Sequence, residues 1–285
     1  MIWKITVILI AALAVAIAGI RIAGSVLWKQ ETARLYTAAH QCLLPAQPEV
    51  SDSSAAAGLP EPVRNYFAAV LSHRQPLIRT ASIHHTGTFN MGTHKEQWKP
   101  FTSEQLVVIR GPAFVWNARI SMAPLLPAFV HDGYINGEGI LHARLAGLIS
   151  VMDQAQTPEL AQGELMRFAA EAVWYPTALL PGRGVTWKPV DSCSAKATFT
   201  SGHTDITLLF RFNEHGLIHE VYSEGRYREE SGKQVLYPWR GHFNTYKRMH
   251  GMYIPMCGEV EWIVDGKTVP YWRACIDTVS YTFVQ

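Results

Sequence analysis

An apolar run at the start of the chain is long enough to cross a lipid bilayer. An uncharged stretch extends from Ile5 to Ile20, and the apolar character continues to Trp28. A membrane-spanning helix needs about 20 predominantly apolar residues, and the few positive side chains here can extend towards the lipid headgroups. We therefore predict a transmembrane anchor over residues 1–28, with Trp3 and Trp28 at the two membrane interfaces.

A cleaved signal peptide is the alternative interpretation of this run. Ala16-Ile17-Ala18 has the small-x-small pattern of a cleavage site. The apolar residues continue well beyond Ala18, which favours retention as a signal anchor. Positive charges stand on both sides of the run, so their distribution does not define the side of the membrane that the rest of the chain occupies.

Composition argues against a nucleic-acid-binding protein and says little about the redox compartment. The formal net charge is +2, with no basic stripe. The four cysteines include no Cys-x-x-Cys pair, and a chain of this length builds a hydrophobic core without disulfides. A bond between Cys257 and Cys275 on neighbouring strands is one outcome, and buried free thiols are the outcome that we favour.

The residues after the anchor divide into a connecting segment and one globular domain. Residues 29–58 form a juxtamembrane segment, with a short helix over Lys29 to Leu44 and a linker rich in Ala, Ser and Pro from Pro45 to Gly58. Residues 59–285 form a single β-rich domain. The domain starts with a helix at Pro60-Glu61-Pro62, because prolines are favoured in the first turn of a helix.

Alternation with a period of two dominates the domain and predicts β-strands. In its clearest instance, after Pro112, apolar side chains take every second position. These are Phe114, Trp116, Ala118, Ile120 and Met122. The strands are separated by turn signals such as Asn136-Gly137 and Asp265-Gly266, which are typical of β-hairpins. We predict consecutive hairpins that form an antiparallel meander.

A second helix interrupts the strands. Thr157-Pro158-Glu159 begins it, an apolar stripe that includes Leu165 and Phe168 follows, and Tyr175-Pro176 ends it. We therefore predict a mainly β (α+β) fold, in which a large curved antiparallel sheet is covered on one side by two helices.

The sequence contains no recognisable catalytic or metal-binding motif. A Gly-x-Ser-x-Gly nucleophile elbow is absent. His84 and His85 would point to opposite faces of a strand, and His215 and His219 lie on a predicted hairpin rather than on a helix. We predict neither a metal ion nor a cofactor, and the sequence assigns no catalytic residue.

Charged residues on the second helix form the most suggestive group. Four residues lie along one face because they are spaced by three, four and three positions. They are Glu164, Arg167, Glu171 and Trp174. The group is either an exposed Glu-Arg-Glu ladder or one wall of a cleft, in which Arg167 and Glu171 meet strand arginines such as Arg119 or Arg240.

A further charged group lies on the strands. Glu259 and Glu261 share a face of one strand, and Arg226 and Arg228 on an earlier strand are placed to oppose them. We interpret this group as a solvated cross-strand ladder. A general acid and base pair is the less favoured alternative.

The tryptophans extend the candidate site to the strands. Nine tryptophans are a high number, and several fall in strand segments. They either fill a core or, where the sheet curves around a space, line a pocket that excludes water. We predict a ligand-binding site from these rings and the charged groups. Its predicted members are Trp116, Arg119, Glu164, Arg167, Glu171, Trp174, Trp239, Arg240, Trp262, Trp272 and Arg273.

Several blocks of the sequence resemble an uncharacterised bacterial family, a domain of unknown function. The most specific block runs from Gln162 to Leu179 with the pattern QGELxRxxAEAVWxPTAL. Leu59 to Tyr66, Tyr237 to Gly241 and Pro270 to Arg273 are similar to further blocks of the family. The resemblance covers nearly the whole domain and implies no activity.

The predicted architecture is also similar to the half-barrel of lipoprotein carriers of the localisation-factor type, which hold acyl chains in an apolar hollow. The similarity concerns the fold and carries over no residue. It implies a lipid or other apolar ligand between the sheet and the helices. It also implies a domain in the periplasm or otherwise outside the cytoplasm. With the predicted anchor, we expect a protein that crosses the bacterial inner membrane once.

These expectations define three functional hypotheses. The first is a membrane-anchored binding module for an apolar ligand. The second is a hydrolase or transferase in which Glu171 is the general base and Arg167, Arg240 or Arg273 steadies an anionic substrate. The third is a structural subunit of a membrane protein complex that holds a protein partner with the same surface.

Overall fold

The predicted strands assemble into one antiparallel sheet. A computed structural model of the chain describes residues 2–45, 58–92, 95–182, 184–230 and 232–284. Within these residues the sheet has 13 strands. The strands are β1 Ile78–Asn90, β2 Trp98–Val108, β3 Ala113–Ala123, β4 Leu126–Ile135, β5 Glu138–Leu145, β6 Ile149–Ala155, β7 Val185–Asp191, β8 Ser194–Ser201, β9 Thr204–Phe212, β10 Ile218–Glu230, β11 Lys233–Met249, β12 Met252–Val264 and β13 Lys267–Phe283.

Two meanders make up the sheet, joined by the first and last strands. The order is β6-β5-β4-β3-β2-β1-β13-β12-β11-β10-β9-β8-β7, so every neighbouring pair except β1 and β13 is consecutive in the chain. The β1–β13 pairing runs from Ile78 opposite Phe283 to Phe89 opposite Trp272. β6 and β7 form the two edges, and the sheet curves without closing into a barrel. The predicted mainly β fold with a curved antiparallel sheet is confirmed.

Helices accompany the sheet on both faces. The α-helices are α1 Ile2–Gln41, α2 Glu61–Val70 and α3 Pro158–Ala170, and the 3-10 helices Glu171–Trp174 and Pro176–Leu179 follow α3. α3 begins at the predicted cap, where Thr157 Oγ1 accepts a hydrogen bond from the Leu160 amide at 3.1 Å. It contacts β4 and β5 on one side and β9 and β10 on the other. α3 therefore covers the opening between the two halves of the sheet, and the apolar face of α2 packs into the same core.

The first helix extends beyond the predicted anchor. Trp3–Gln41 is long and apolar enough to cross a membrane, a criterion that a signal sequence also meets. From Gly24 to Ala39, one side of α1 packs on the convex face of β2, β3 and β4. The predicted division at residue 28 thus falls inside one continuous helix. Residues 46–57 of the predicted linker lie outside the described residues.

Trp28 belongs to the part of α1 that packs on the sheet. Its side chain is 3% exposed, and its Nε1 donates a hydrogen bond to Asn117 Oδ1 at 2.9 Å. Its ring stacks on His131, with the ring centroids 3.8 Å apart. Trp28 therefore packs on the convex face of the sheet, which supplies both a hydrogen-bond acceptor and an aromatic partner, and its place at a membrane interface stays a prediction.

Cys257 and Cys275 form a disulfide between β12 and β13. The two residues are direct partners in the strand register, with Cα atoms 4.0 Å apart. Our preference for free thiols is therefore wrong for this pair, because the hairpin register places the two side chains opposite each other. Cys42 and Cys193 are free, and Cys193 is exposed.

Candidate functional site

A cavity of about 350 Å³ lies between the concave face of the sheet and α3. Its size falls within the range of small-molecule sites, about 300–1,000 Å³. Most of its wall is apolar, and aromatic rings supply much of it. The tryptophans on this wall are Trp116, Trp174, Trp239, Trp262 and Trp272.

Strand pairing brings these rings together from distant parts of the chain. Trp239 is opposite Trp262, and Val260 is opposite Trp272, so alternate positions of three neighbouring strands point to the concave face. Trp174 reaches the same wall from a 3-10 helix, with its ring centroid 6.2 Å from that of Trp272. The register of the sheet, rather than any local spacing, therefore builds the aromatic wall.

Arg167 of α3 is the centre of one buried charge cluster. Its Nη1 donates to Asp132 Oδ2 at 2.5 Å and its Nε donates to Glu171 Oε1 at 2.8 Å. Gln105 Nε2 donates to the second Glu171 oxygen at 2.6 Å. The guanidinium carbon also lies 5.1 Å from the centroid of the Trp116 ring, within the range of a cation–π contact. Two carboxyl groups and an aromatic face thus fix the orientation of Arg167.

Arg226 of β10 is the centre of a second buried cluster. Its Nη2 donates to Glu164 Oε1 at 3.2 Å and its Nη1 donates to Tyr271 Oη at 3.2 Å. The same tyrosine oxygen accepts a hydrogen bond from Trp239 Nε1 at 2.9 Å. The guanidinium carbon lies 5.4 Å from the centroid of the Trp239 ring. Both terminal nitrogens of Arg226 therefore have a hydrogen-bond partner within the protein.

A β-bulge turns Arg226 towards the cavity. Ser223 is opposite Trp239 and Arg226 is opposite Tyr237, so β10 holds one more residue than β11 between these pairs. The Gly225 amide donates to Ser223 Oγ at 3.3 Å within the bulge. In a regular strand Arg226 would point to the convex face. The extra residue moves it to the concave face instead.

Burial raises the pKa of Glu164 well above its ordinary value. The negative charge of Asp132 and a hydrogen bond between the two carboxyl groups raise it further, whereas Arg226 and Arg167 oppose the shift. Among the described residues, Asp132 Oδ1 and Glu164 Oε2 have no hydrogen-bond donor. A proton on Glu164 supplies one, because the neutral acid donates to Asp132. The two arginines then balance Asp132 and Glu171, and the buried group is neutral.

Most of the predicted site residues line this cavity. They are Trp116, Glu164, Arg167, Glu171, Trp174, Trp239, Trp262 and Trp272. Arg119, Arg240 and Arg273 do not, because the alternation of β3, β11 and β13 directs their side chains to the convex face. There Arg240 Nε donates to Glu261 Oε1 at 2.7 Å, and Arg273 pairs with Glu259. The three arginines are therefore wrongly placed in the predicted site, and ligand contact by the other eight residues stays a prediction.

The charged face of α3 is a buried wall and not an exposed ladder. Arg167 and Glu171 do meet strand residues, as the cleft hypothesis predicts. Their partners are Asp132 and Gln105, however, rather than Arg119 or Arg240. The expected pairing of Glu259 and Glu261 with Arg226 and Arg228 is also wrong, since the bulge in β10 moves Arg226 to the other face of the sheet.

Sequence reasoning missed three polar residues of the site. Gln105 and Asp132 are the direct strand partners of Trp116, one on each side. Each is a polar residue at a position where the alternation predicts a buried side chain, and this signal was available in the sequence. Tyr271 had no such signal, because it is the extra residue of a bulge that lets both Tyr271 and Trp272 line the cavity.

Comparison with known proteins identifies a family without an assigned activity. A family model described as "Family of unknown function (DUF6920)" matches residues 57–281, and no curated protein matches the chain. The LolA superfamily protein NE2245 from Nitrosomonas europaea is similar in structure, with a TM-score of 0.38 and 9% identity over 72% of this chain and 87% of that chain. A β-barrel-like protein of domain of unknown function DUF1849 from Brucella abortus has a TM-score of 0.22 and 9% identity over 73% of this chain and 99% of that chain.

Proposed function

We propose that this chain, which belongs to the DUF6920 family of unknown function, is a membrane-anchored module that binds an apolar ligand such as a lipid acyl chain. The ligand would occupy the cavity between the sheet and α3. One observation carries the proposal. The cavity wall is mainly aromatic and aliphatic, and its central charged residues are compensated by partners within the protein.

The state of the two buried arginines favours an apolar ligand over an anionic one. Arg167 is held by Asp132 and Glu171, and Arg226 by Glu164 and Tyr271. An anionic ligand at Arg167 would have to replace Asp132 or Glu171 and leave a carboxylate unpaired, which is costly in a buried site. At Arg226 it would have to displace the buried hydrogen bond of Glu164 or Tyr271, which is also costly. An acyl chain has no such requirement, and each methylene group that it buries contributes about 0.8 kcal/mol.

Two features support a membrane-anchored domain outside the cytoplasm. The part of α1 before Gly24 exposes large apolar side chains over a length that fits a bilayer. The Cys257–Cys275 disulfide is typical of proteins that fold in an oxidising compartment. A phosphatase fused after Gln285 tests the orientation, since an inactive fusion of normal abundance would place the domain in the cytoplasm.

Native mass spectrometry of the full-length protein, purified from its own host in a non-ionic detergent, tests the ligand. We expect a lipid mass that persists after the micelle is removed in the gas phase. Tryptophan fluorescence should also change when fatty acids or phospholipids are added, because five tryptophans line the cavity. A protein without bound lipid and without any fluorescence response would contradict the proposal.

A matched pair of variants on β5 separates cavity binding from binding elsewhere. Ala143 lines the cavity, whereas Arg144 is the next residue and points to the convex face. Ala143→Phe should fill part of the cavity and reduce lipid occupancy, and Arg144→Phe should not. Equal occupancy in both variants would show that the lipid is bound outside the cavity.

The geometry weakens the general-base hypothesis in the form that the sequence suggests. Both oxygens of Glu171 accept hydrogen bonds, from Arg167 and Gln105. Arg240 and Arg273 lie across the sheet and cannot steady a substrate in the cavity. Within our proposal, Glu171 orients Arg167 at the cavity wall. The hypothesis of a structural subunit is tested by the same mass spectrometry, because it predicts a co-purifying protein in place of a lipid.

A further inference from the structure

Two turns at one end of the sheet expose large apolar side chains. The β3–β4 turn carries Leu125 and Leu126, and the β5–β6 turn and the start of β6 carry Leu148, Ile149 and Val151. Leu125 is 74% exposed and Ile149 is 65% exposed. We call these five residues the turn patch. Clustered exposed aliphatic side chains of this kind mark an interaction surface.

Leu125 strengthens this interpretation. Its φ is 63°, in the left-handed region, where glycine and asparagine are favoured over a leucine. Its side chain is exposed, so packing in the core does not compensate for this conformation. An apolar side chain at the tip of this turn therefore needs an explanation outside the fold of the domain.

The turn patch lies where α1 leaves the sheet. The Ala146 amide donates to the Pro127 carbonyl at 2.8 Å, which joins the two turns. Gly24 of α1 approaches the same place, and a Cβ at position 24 would collide with the carbonyl oxygen of Ala146. The contact therefore requires glycine at this position of the helix. Towards its N-terminus, α1 departs from the domain at the turn patch.

The length of the departing segment fits a bilayer. Large apolar side chains are exposed from Trp3 to Ile10 and again at Val15, Ile17, Ile20 and Ile22. A helix from Ile2 to Ala23 is about 33 Å long, and the hydrocarbon core of a bilayer is about 30 Å thick. When this segment crosses a membrane, the membrane surface lies near Gly24 and therefore beside the turn patch.

The cavity reaches the same end of the sheet. The β1–β2, β3–β4 and β5–β6 turns share this end because the strands form a meander, and the pairing of β1 with β13 adds the β12–β13 turn. Three residues of the cavity wall, Met91, Met152 and Trp262, lie next to these turns. Met152 directly follows Val151 of the turn patch. The patch is therefore continuous with the wall of the cavity.

We infer that the turn patch inserts into the surface of the bilayer that α1 crosses, so that the cavity opens towards the membrane and exchanges its ligand with the lipid phase. The last clause rests on the proposed function. A lipid surface is the occupant that the geometry favours, because the patch adjoins the point where an apolar segment of bilayer length leaves the domain. A second copy of the chain is the alternative that the experiment must exclude.

Depth-dependent fluorescence quenching in lipid nanodiscs tests this inference with the full-length protein. Cys42→Ser and Cys193→Ser remove the free thiols. Leu125→Cys and Ile149→Cys then place an environment-sensitive dye on each turn in separate proteins. Glu138→Cys places the same dye on the exposed first residue of β5, beside the β4–β5 turn at the opposite end of the strands. Phosphatidylcholine that carries a nitroxide near its headgroup is the quencher.

Dyes at both patch positions should show blue-shifted emission and strong quenching by the nitroxide lipid, and the dye at position 138 should show neither. An unshifted and unquenched dye at both patch positions would overturn the inference. A dye that is shielded from aqueous iodide but not quenched by lipid would also overturn it, since a second copy would then cover the patch. Lipid that still co-purifies in either case would leave the proposed function intact. Quenching at the patch in a protein that binds no lipid would support membrane insertion and refute the proposed ligand.

Discussion

Replacing Glu164 by glutamine should cost the protein very little stability at acidic pH and none at neutral pH. Burial and Asp132 raise the pKa of Glu164 well above its ordinary value, and we predict that the folded protein holds it as a neutral acid. Glutamine is also neutral, donates to Asp132 through its amide nitrogen and accepts from Arg226 through its amide oxygen. We therefore expect a loss of less than about 1 kcal/mol at about pH 5, and no loss at neutral pH, where the folded wild-type protein must hold a proton that its unfolded chain releases. If Glu164 were ionised, Glu164→Gln would lower the free energy of unfolding by about 3–5 kcal/mol, because the substitution would leave Arg226 without a charged partner.

The pH dependence of stability gives a second, independent measure. Glu164 has an ordinary pKa of 4.5 and a higher one in the folded state. Above pH 4.5 the folded protein therefore binds a proton that the unfolded chain releases. The free energy of unfolding falls by about 1.4 kcal/mol for each pH unit up to the folded-state pKa. The proton on Glu164 thus makes its full contribution to the free energy of unfolding below the unfolded-state pKa, and this contribution is lost as the pH rises through the folded-state pKa. Glu164→Gln removes this decline.

Urea denaturation of the full-length protein in a non-ionic detergent, followed by tryptophan fluorescence, measures both effects. The stability of the wild-type protein minus that of Glu164→Gln should fall as the pH rises from about 5 to about 8. Glu171→Gln is the matched control on the same helix, because both oxygens of Glu171 accept hydrogen bonds and glutamine can accept with only one. A cost of about 3–5 kcal/mol for Glu164→Gln that does not depend on pH would refute the neutral-acid assignment.

Three further predictions address the disulfide, the first helix and the enzyme hypothesis. Replacing Cys257 and Cys275 by serine should lower the free energy of unfolding by about 3 kcal/mol, as expected for a bond between residues 18 positions apart. Urea denaturation measures this loss, and thiol reduction of the wild-type protein should reproduce it. Trp28→Ala should uncover His131, whose pKa burial lowers to about 3. NMR titration should find this pKa closer to 6.5, and a value that stays near 3 would show that Trp28 does not shield the ring. Glu171→Gln should leave the fold intact and alter lipid occupancy only modestly. A loss of any measured turnover by about a hundredfold, with occupancy unchanged, would establish the general-base hypothesis.

The sequence alone determines the elements and most of their order. Apolar periodicity of 2 and 3.6 depends only on which side chains must be buried, so it predicts the strands and α3 with its cap at Thr157. The turn signals join successive strands into hairpins, and these local connections fix the two meanders. The shared helix face of Glu164, Arg167 and Glu171 was also predictable from their spacing, whereas the sequence left open whether this face is exposed or lines a cleft.

The tertiary structure decides the partners within the site. Local alternation assigns Arg226 to the convex face, and only the bulge beside Ser223 moves it to Glu164 in the cavity. Asp132 and Gln105 meet Arg167 because α3 covers the opening between the two halves of the sheet, and no local pattern encodes that contact.

The same limit applies to α1 and to the disulfide. An apolar helix is equally suited to a lipid environment and to the face of a sheet, so the sequence could not show that α1 packs on the sheet from Gly24 onwards. The bond between Cys257 and Cys275 depends on the register of one hairpin, which a shift of a single residue would destroy. Burial periodicity is a property of each segment, whereas register, bulges and docking depend on the segments that it meets. For this reason the sequence determines the elements of this protein, and the tertiary structure determines which side chains face the cavity.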